Sequence, residues 1–87
     1  MLGPDDVIAS VKFIPDKGNH AVAATVAGPL PDDTSVTFSL SMNIWGEAEP
    51  PIVGTWVVLG DLRFIAGKGW RAFRARYYRP SDGNGKS

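Results

Sequence analysis

GTWVVLGDLRFIAGKGWRAFRARYYRP, residues 54–80, is the stretch whose reading decides the fold. It holds two of the three tryptophans, both tyrosines and six of the nine lysines and arginines, so its geometry sets the chemistry of the surface. From Trp70 onward the residues alternate. Arg71, Phe73, Ala75, Tyr77 and Arg79 fall on one side, and Trp70, Ala72, Arg74, Arg76 and Tyr78 on the other. A strand sends successive side chains to opposite faces, so this pattern predicts a strand with two unlike surfaces. The Phe73/Ala75/Tyr77 side can seal a core, while the other sets two guanidinium groups between two aromatic rings.

Upstream, Thr55 to Ala66 allows two readings. It is either one long strand relaxed by a bulge at Gly60, or two strands around a Gly60-Asp61 hairpin turn. The single bulged strand is preferred because a continuous count keeps Trp56, Val58, Leu62 and Phe64 on one face. Gly67-Lys68-Gly69 then turns the chain into the Trp70–Arg79 strand.

Earlier segments follow the same period. Val7 to Ile14 alternates, with Val7, Ala9, Val11 and Phe13 on one face and Ser10 and Lys12 on the other. Pro15 to Asn19 is turn chemistry, with Gly18 or Asn19 supplying a positive φ. His20 to Ala27 is alanine-rich, yet short, bounded by turn residues and interleaved with Val and Thr, which favours a strand over a helix. His20, Val22, Ala24 and Val26 share one face of it, and Ala21, Ala23, Thr25 and Ala27 the other. After the Gly28–Asp33 loop, whose two prolines remove ladder donors, Thr34 to Ser41 places Val36, Phe38 and Leu40 inward. Met42 to Val53 is irregular. Ile44, Trp45, Ile52 and Val53 are expected to fold over one end of the barrel, with Trp45 as a plug rather than an exposed contact.

Five strands, glycine and proline turns and no convincing helix predict an all-β fold: a small closed or nearly closed five-stranded β-barrel, either an OB-fold or an SH3-like barrel. Residues 1–6 read as a flexible lead-in, 7–79 as one barrel domain and 80–87 as a disordered tail. An 87-residue chain makes one small core.

Composition narrows the function. There is no cysteine and one histidine, His20, which excludes structural zinc, disulfides and thiol catalysis. No apolar run reaches the roughly 20 residues that cross a bilayer, and MLGPDDV lacks the features of a signal peptide, so a cytoplasmic protein with no membrane partner is expected. Net charge is zero. It is unevenly spread: residues 1–61 carry Lys12 and Lys17 against eight acids, a net of −6, and residues 62–87 carry seven bases against Asp82, a net of +6. The asymmetry points to an anionic partner for the C-terminal part, or to basic strands pairing with acidic loops of the same domain.

Several short runs resemble the cold-shock-domain branch of the OB-folds. Ser10-Val11-Lys12-Phe13-Ile14-Pro15-Asp16-Lys17-Gly18 is similar to that family's first strand and its Lys-Gly turn. Val36-Thr37-Phe38-Ser39 sits where the family has its third strand. Val53-Gly54-Thr55-Trp56-Val57 resembles the start of its fourth, and Gly67-Lys68-Gly69-Trp70-Arg71-Ala72 the hairpin that opens its fifth. The family's second strand carries base-stacking aromatics after Lys-Gly, where this chain has Asn19-His20-Ala21-Val22-Ala23. The resemblance spans roughly residues 7 to 79 and implies single-stranded nucleic-acid binding on a barrel face.

A basic and aromatic face predicts the same partner, since rings stack bases at about 1–3 kcal/mol each and guanidinium groups meet the backbone. The candidate binding residues are Trp70, Arg74, Arg76 and Tyr78, with Arg63, Lys68 and Arg71 nearby, and Lys12, Lys17 and His20. The alternative is a protein–protein contact or accessory subunit, of the kind phages and plasmids encode, using the same Trp, Tyr and Arg surface. A monomer or weak homo-oligomer is expected. Catalysis and cofactors are not: Asp5-Asp6 and Asp32-Asp33 read as loop carboxylates, His20 lacks a paired nucleophile, and Gly67-Lys68-Gly69 precedes a strand rather than a phosphate-binding helix.

Overall fold

The structure, a computed structural model, describes residues 3–16 and 18–79. Lys17, the start of the lead-in at residues 1–2 and the whole tail at 80–87 lie outside the described residues. Five strands form in chain order: β1 (Val7–Phe13), β2 (His20–Ala27), β3 (Ser35–Ser39), β4 (Trp56–Ile65) and β5 (Gly69–Tyr77). They close into a barrel in the order β1-β2-β3-β5-β4. All neighbours are antiparallel except β3 and β5, which run parallel. The fold is therefore an all-β closed five-stranded barrel, the small-barrel architecture expected of an OB-like or SH3-like chain.

Alternation builds the core. Val7, Ala9 and Val11 from β1, Ala21 and Ala23 from β2, Val36 and Phe38 from β3, Val57 and Leu59 from β4, and Ala72 and Ala75 from β5 point inward. The small alanines of β2 leave interior volume for two large rings, Phe38 and Trp45, whose centroids lie 5.9 Å apart. The most deeply buried polar residue among those described is Thr25. Its hydroxyl donates to the Pro31 carbonyl at 2.6 Å and accepts from the Thr34 amide at 3.0 Å, so burial leaves no polar atom without a partner and the β2–β3 loop is pinned.

Trp45 is the expected plug. It is 4 % exposed, and its indole N–H donates to the Glu49 carbonyl at 2.7 Å. The loop around it pairs with β5 through Ala75 N–H to Ile44 O and Gly46 N–H to Ala75 O. Ile52 and Val53, expected to share the sealing role, are exposed instead. Pro51 is the buried residue there, and the next residues turn outward to bring the Gly54 amide onto the Val11 carbonyl at 2.8 Å.

Besides a slip at the start of β1, where Ile8 pairs with Ala27 but Ala9 with Thr25, two phase changes depart from simple alternation. In β1, Val11 pairs with Ala23 but Phe13 with Val22, so Lys12 is an extra residue in the ladder. This bulge turns Phe13 out of the core face, leaving it 57 % exposed, and Ile14 packs against the core in its place. The second change lies in β4 and β5 together. β4 is one strand, as preferred, but its inward residues are Val57, Leu59 and then Leu62. Opposite it, the inward residues of β5 are Tyr77, Ala75, then Ala72 and Trp70. Both strands shift by one residue at the same height, where Asp61 takes a left-handed φ of 50°. Paired strands must turn together, because slipping one alone would break the ladder between them.

Candidate nucleic-acid interface

The phase change in β5 divides the expected basic–aromatic stripe in two. Trp70 does not face outward with Arg74, Arg76 and Tyr78. It lies on the core side, packed against the interior and edge-on to Phe64 at 5.4 Å. Conversely Phe73, expected in the core, faces outward. The Arg63 guanidinium carbon lies over its ring, 4.8 Å from the centroid. The reason in both cases is the shift at Gly60-Asp61, which exchanges the two faces of residues 70–73.

On the Phe73 side the strand register assembles a row that crosses the whole sheet. Phe13 pairs with Val22, Val22 with Thr37, Thr37 with Arg71, and Arg71 with Arg63. Val22, Thr37 and Arg71 are flanked along their strands by residues in or packed against the core (Ala21 and Ala23, Val36 and Phe38, Trp70 and Ala72), so alternation turns them to the barrel exterior, and Phe13 and Arg63 at the two ends of the row are exposed. Four interstrand steps of about 4.8 Å give the row a length of about 19 Å along the sheet. His20, paired with Ser39, lies on the same face one row further on. Lys12 is exposed at the β1 bulge beside Phe13, and Lys68 is exposed in the β4–β5 hairpin.

The electrostatics of this face are mildly basic. Arg63 donates to Asp61 at 3.3 and 3.4 Å, long contacts for charge-assisted bonds. Arg71 makes no ion pair among the described residues. Of the sequence-derived candidates, Arg63, Arg71 and His20 are thus brought together, with Lys12 and Lys68 at the margins.

Arg74, Arg76 and Tyr78 form a separate group on the other half of β5. Arg74 and Arg76 line a cleft of about 320 Å³ with Arg79, Asp6 and Glu47. The cleft is internally compensated. Asp6 accepts from Arg74 at 3.4 Å, and Glu47 accepts from Arg79 at 2.7 Å and from the Tyr77 amide at 3.2 Å. Tyr78 meets Trp56 edge-on at 5.5 Å, and Trp56 is 47 % exposed.

Phe13 and Phe73 are the surface aromatics that sequence reasoning assigned to the interior. Only the Gly60-Asp61 dipeptide signalled either shift, and Lys12 gave no warning of its bulge. Compared with known proteins, the chain matches no family model, no curated protein and no solved structure.

Proposed function

We propose that this chain is a small non-catalytic barrel module, working in the cytoplasm, that binds single-stranded nucleic acid on the outer face where β1, β2, β3, β5 and β4 meet in one row. The observation that carries the reading is the five-strand row Phe13–Val22–Thr37–Arg71–Arg63, with Phe73 beneath the Arg63 guanidinium. Rings and cations interleave there on a solvated surface, which suits stacked bases and a threaded phosphate backbone. The parallel pairing of β3 with β5 favours the OB-like over the SH3-like description, since a simple up-and-down meander would place β4 next to β3. His20 lies in the second-strand run where the cold-shock resemblance implies base-stacking rings, and Phe13 and Phe73 supply rings that β2 lacks.

A labelled single-stranded oligonucleotide titrated at low and moderate salt tests this. Binding that weakens measurably with salt, with the moderate slope of a few phosphate contacts, supports it; no binding at low salt overturns it. The runner-up is a protein contact, favoured by the exposed apolar group of Trp56, Ile52 and Val53. That contact would respond weakly to salt.

A further inference from the structure

A second cavity, of about 460 Å³, opens beside the binding face and is not part of the row. Its walls are Pro29, Leu30, Leu62 and the Trp70 ring, and its charged groups are Asp5, Asp61 and Arg74. Its volume falls within the roughly 300–1,000 Å³ of small-ligand sites. Leu30, Leu62 and Trp70 pack against the core, so the wall is held in place rather than collapsing into the space. The pocket adjoins the face through one side chain: Arg63 touches both Asp61 on the pocket rim and the Phe73 ring.

The chemistry of the lining restricts the occupant. A simple cation would meet the Arg74 guanidinium, and a simple anion would meet two carboxylates. A flat neutral ring with donors on one edge and acceptors on another satisfies both signs and stacks on an indole. Among the common bases, guanine alone offers two adjacent N–H donors, at N1 and N2, to a carboxylate, together with O6 and N7 acceptors for a guanidinium. Adenine and cytosine would turn a ring-nitrogen lone pair toward the carboxylate. Asp61 keeps acceptor capacity because its contacts to Arg63 are long. Asp5 accepts no hydrogen bond among the described residues.

We propose that this pocket is a guanine site, with Asp61 and Asp5 accepting from N1–H and the 2-amino group, Arg74 donating to O6, and Trp70 stacking on the ring. The proposal deepens the nucleic-acid reading above, since the base would come from a strand crossing the adjacent face or from a free guanine nucleotide.

The test is a chemical-shift titration that follows the Trp70 indole N–H, assigned with Trp70→Phe, against GMP, IMP, AMP, CMP and UMP. GMP should shift it saturably. IMP, which lacks the 2-amino group, should bind at least several-fold more weakly, and the other three weaker still. Asp61→Asn should weaken GMP about tenfold or more. Asparagine adopts the same left-handed backbone, so the fold is kept. Equal responses to all five nucleotides, or an unchanged affinity in Asp61→Asn, overturn the guanine assignment.

Two further arms separate the pocket from the face. A guanine-containing oligonucleotide that shifts Arg71 and Phe73 but leaves Trp70 still overturns the pocket while the binding face stands. GMP binding at Trp70 with no oligonucleotide response at Arg71 or Phe73 supports the pocket for a free nucleotide and removes the strand-binding face.

Discussion

Asp61 and Gly28 show how single residues fix the barrel. Asp61 holds φ at 50°, a conformation aspartate and asparagine reach by local hydrogen bonding and β-branched residues avoid. Asp61→Val should therefore lower stability by about 1–2 kcal/mol in chemical denaturation, beyond any loss of its Arg63 pair. Two glycines make a sharper contrast. A Cβ at Gly28 would lie 2.8–2.9 Å from the side chain and Cα of Val7, at φ 129°. A Cβ at Gly60 would meet the ends of Arg74 and Asp6 at 2.6 Å. Backbone cannot yield, but the tips of two side chains can. Thermal unfolding of Gly28→Ala should show a loss above about 2 kcal/mol. Gly60→Ala should lose less than about 1 kcal/mol, the usual worth of an exposed ion pair.

Among the elements, the loop between β3 and β4 and the β4–β5 pair decide which rings are inside. Trp45 fills the barrel end, edge-on to Tyr77 at 4.9 Å, whereas Trp56 lies on the surface against Tyr78. Trp45→Ala should cost about 3–5 kcal/mol, a large share of the stability of so small a domain. Trp56→Ala should cost less than about 1 kcal/mol, so denaturant midpoints of the two variants should separate widely. The five strands were legible because alternating Val, Ala and Phe positions impose a period of two, and the turns because Gly18 and Gly67 carry positive φ. The faces of Phe13, Trp70 and Phe73 were not legible. Each lies next to or beyond a one-residue phase shift, and such a shift is set by the partner strand's hydrogen bonds rather than by the residue's own neighbours. A continuous count along β5 through Phe73-Arg74, opposite Gly60-Asp61, therefore sends residues 70–73 to the wrong side.

For the whole molecule, the charge asymmetry is partly spent within the domain. Asp6 with Arg74, Asp61 with Arg63 and Glu47 with Arg79 each join an acid of the first 61 residues to a base of the last 26. What remains for a partner is concentrated at Arg71, with the weakly held Arg63 and the marginal Lys12 and Lys68. Few phosphate contacts follow, so the salt dependence should be moderate: a slope of log affinity against log salt of about −1.4 to −2, at about −0.7 per contact for two to three contacts. Arg71→Ala should reduce that slope by about 0.7. Phe73→Leu should leave the slope unchanged and lose about 1–3 kcal/mol of binding through the missing stack. The central claim is the location of the strand, and amide chemical-shift mapping with a single-stranded oligonucleotide addresses it directly. The account predicts that the perturbed residues are Phe13, Val22, Thr37, Arg71, Phe73 and Arg63. Perturbations gathered instead around Ile52, Val53, Trp56 and Tyr78, or absent altogether, would contradict it.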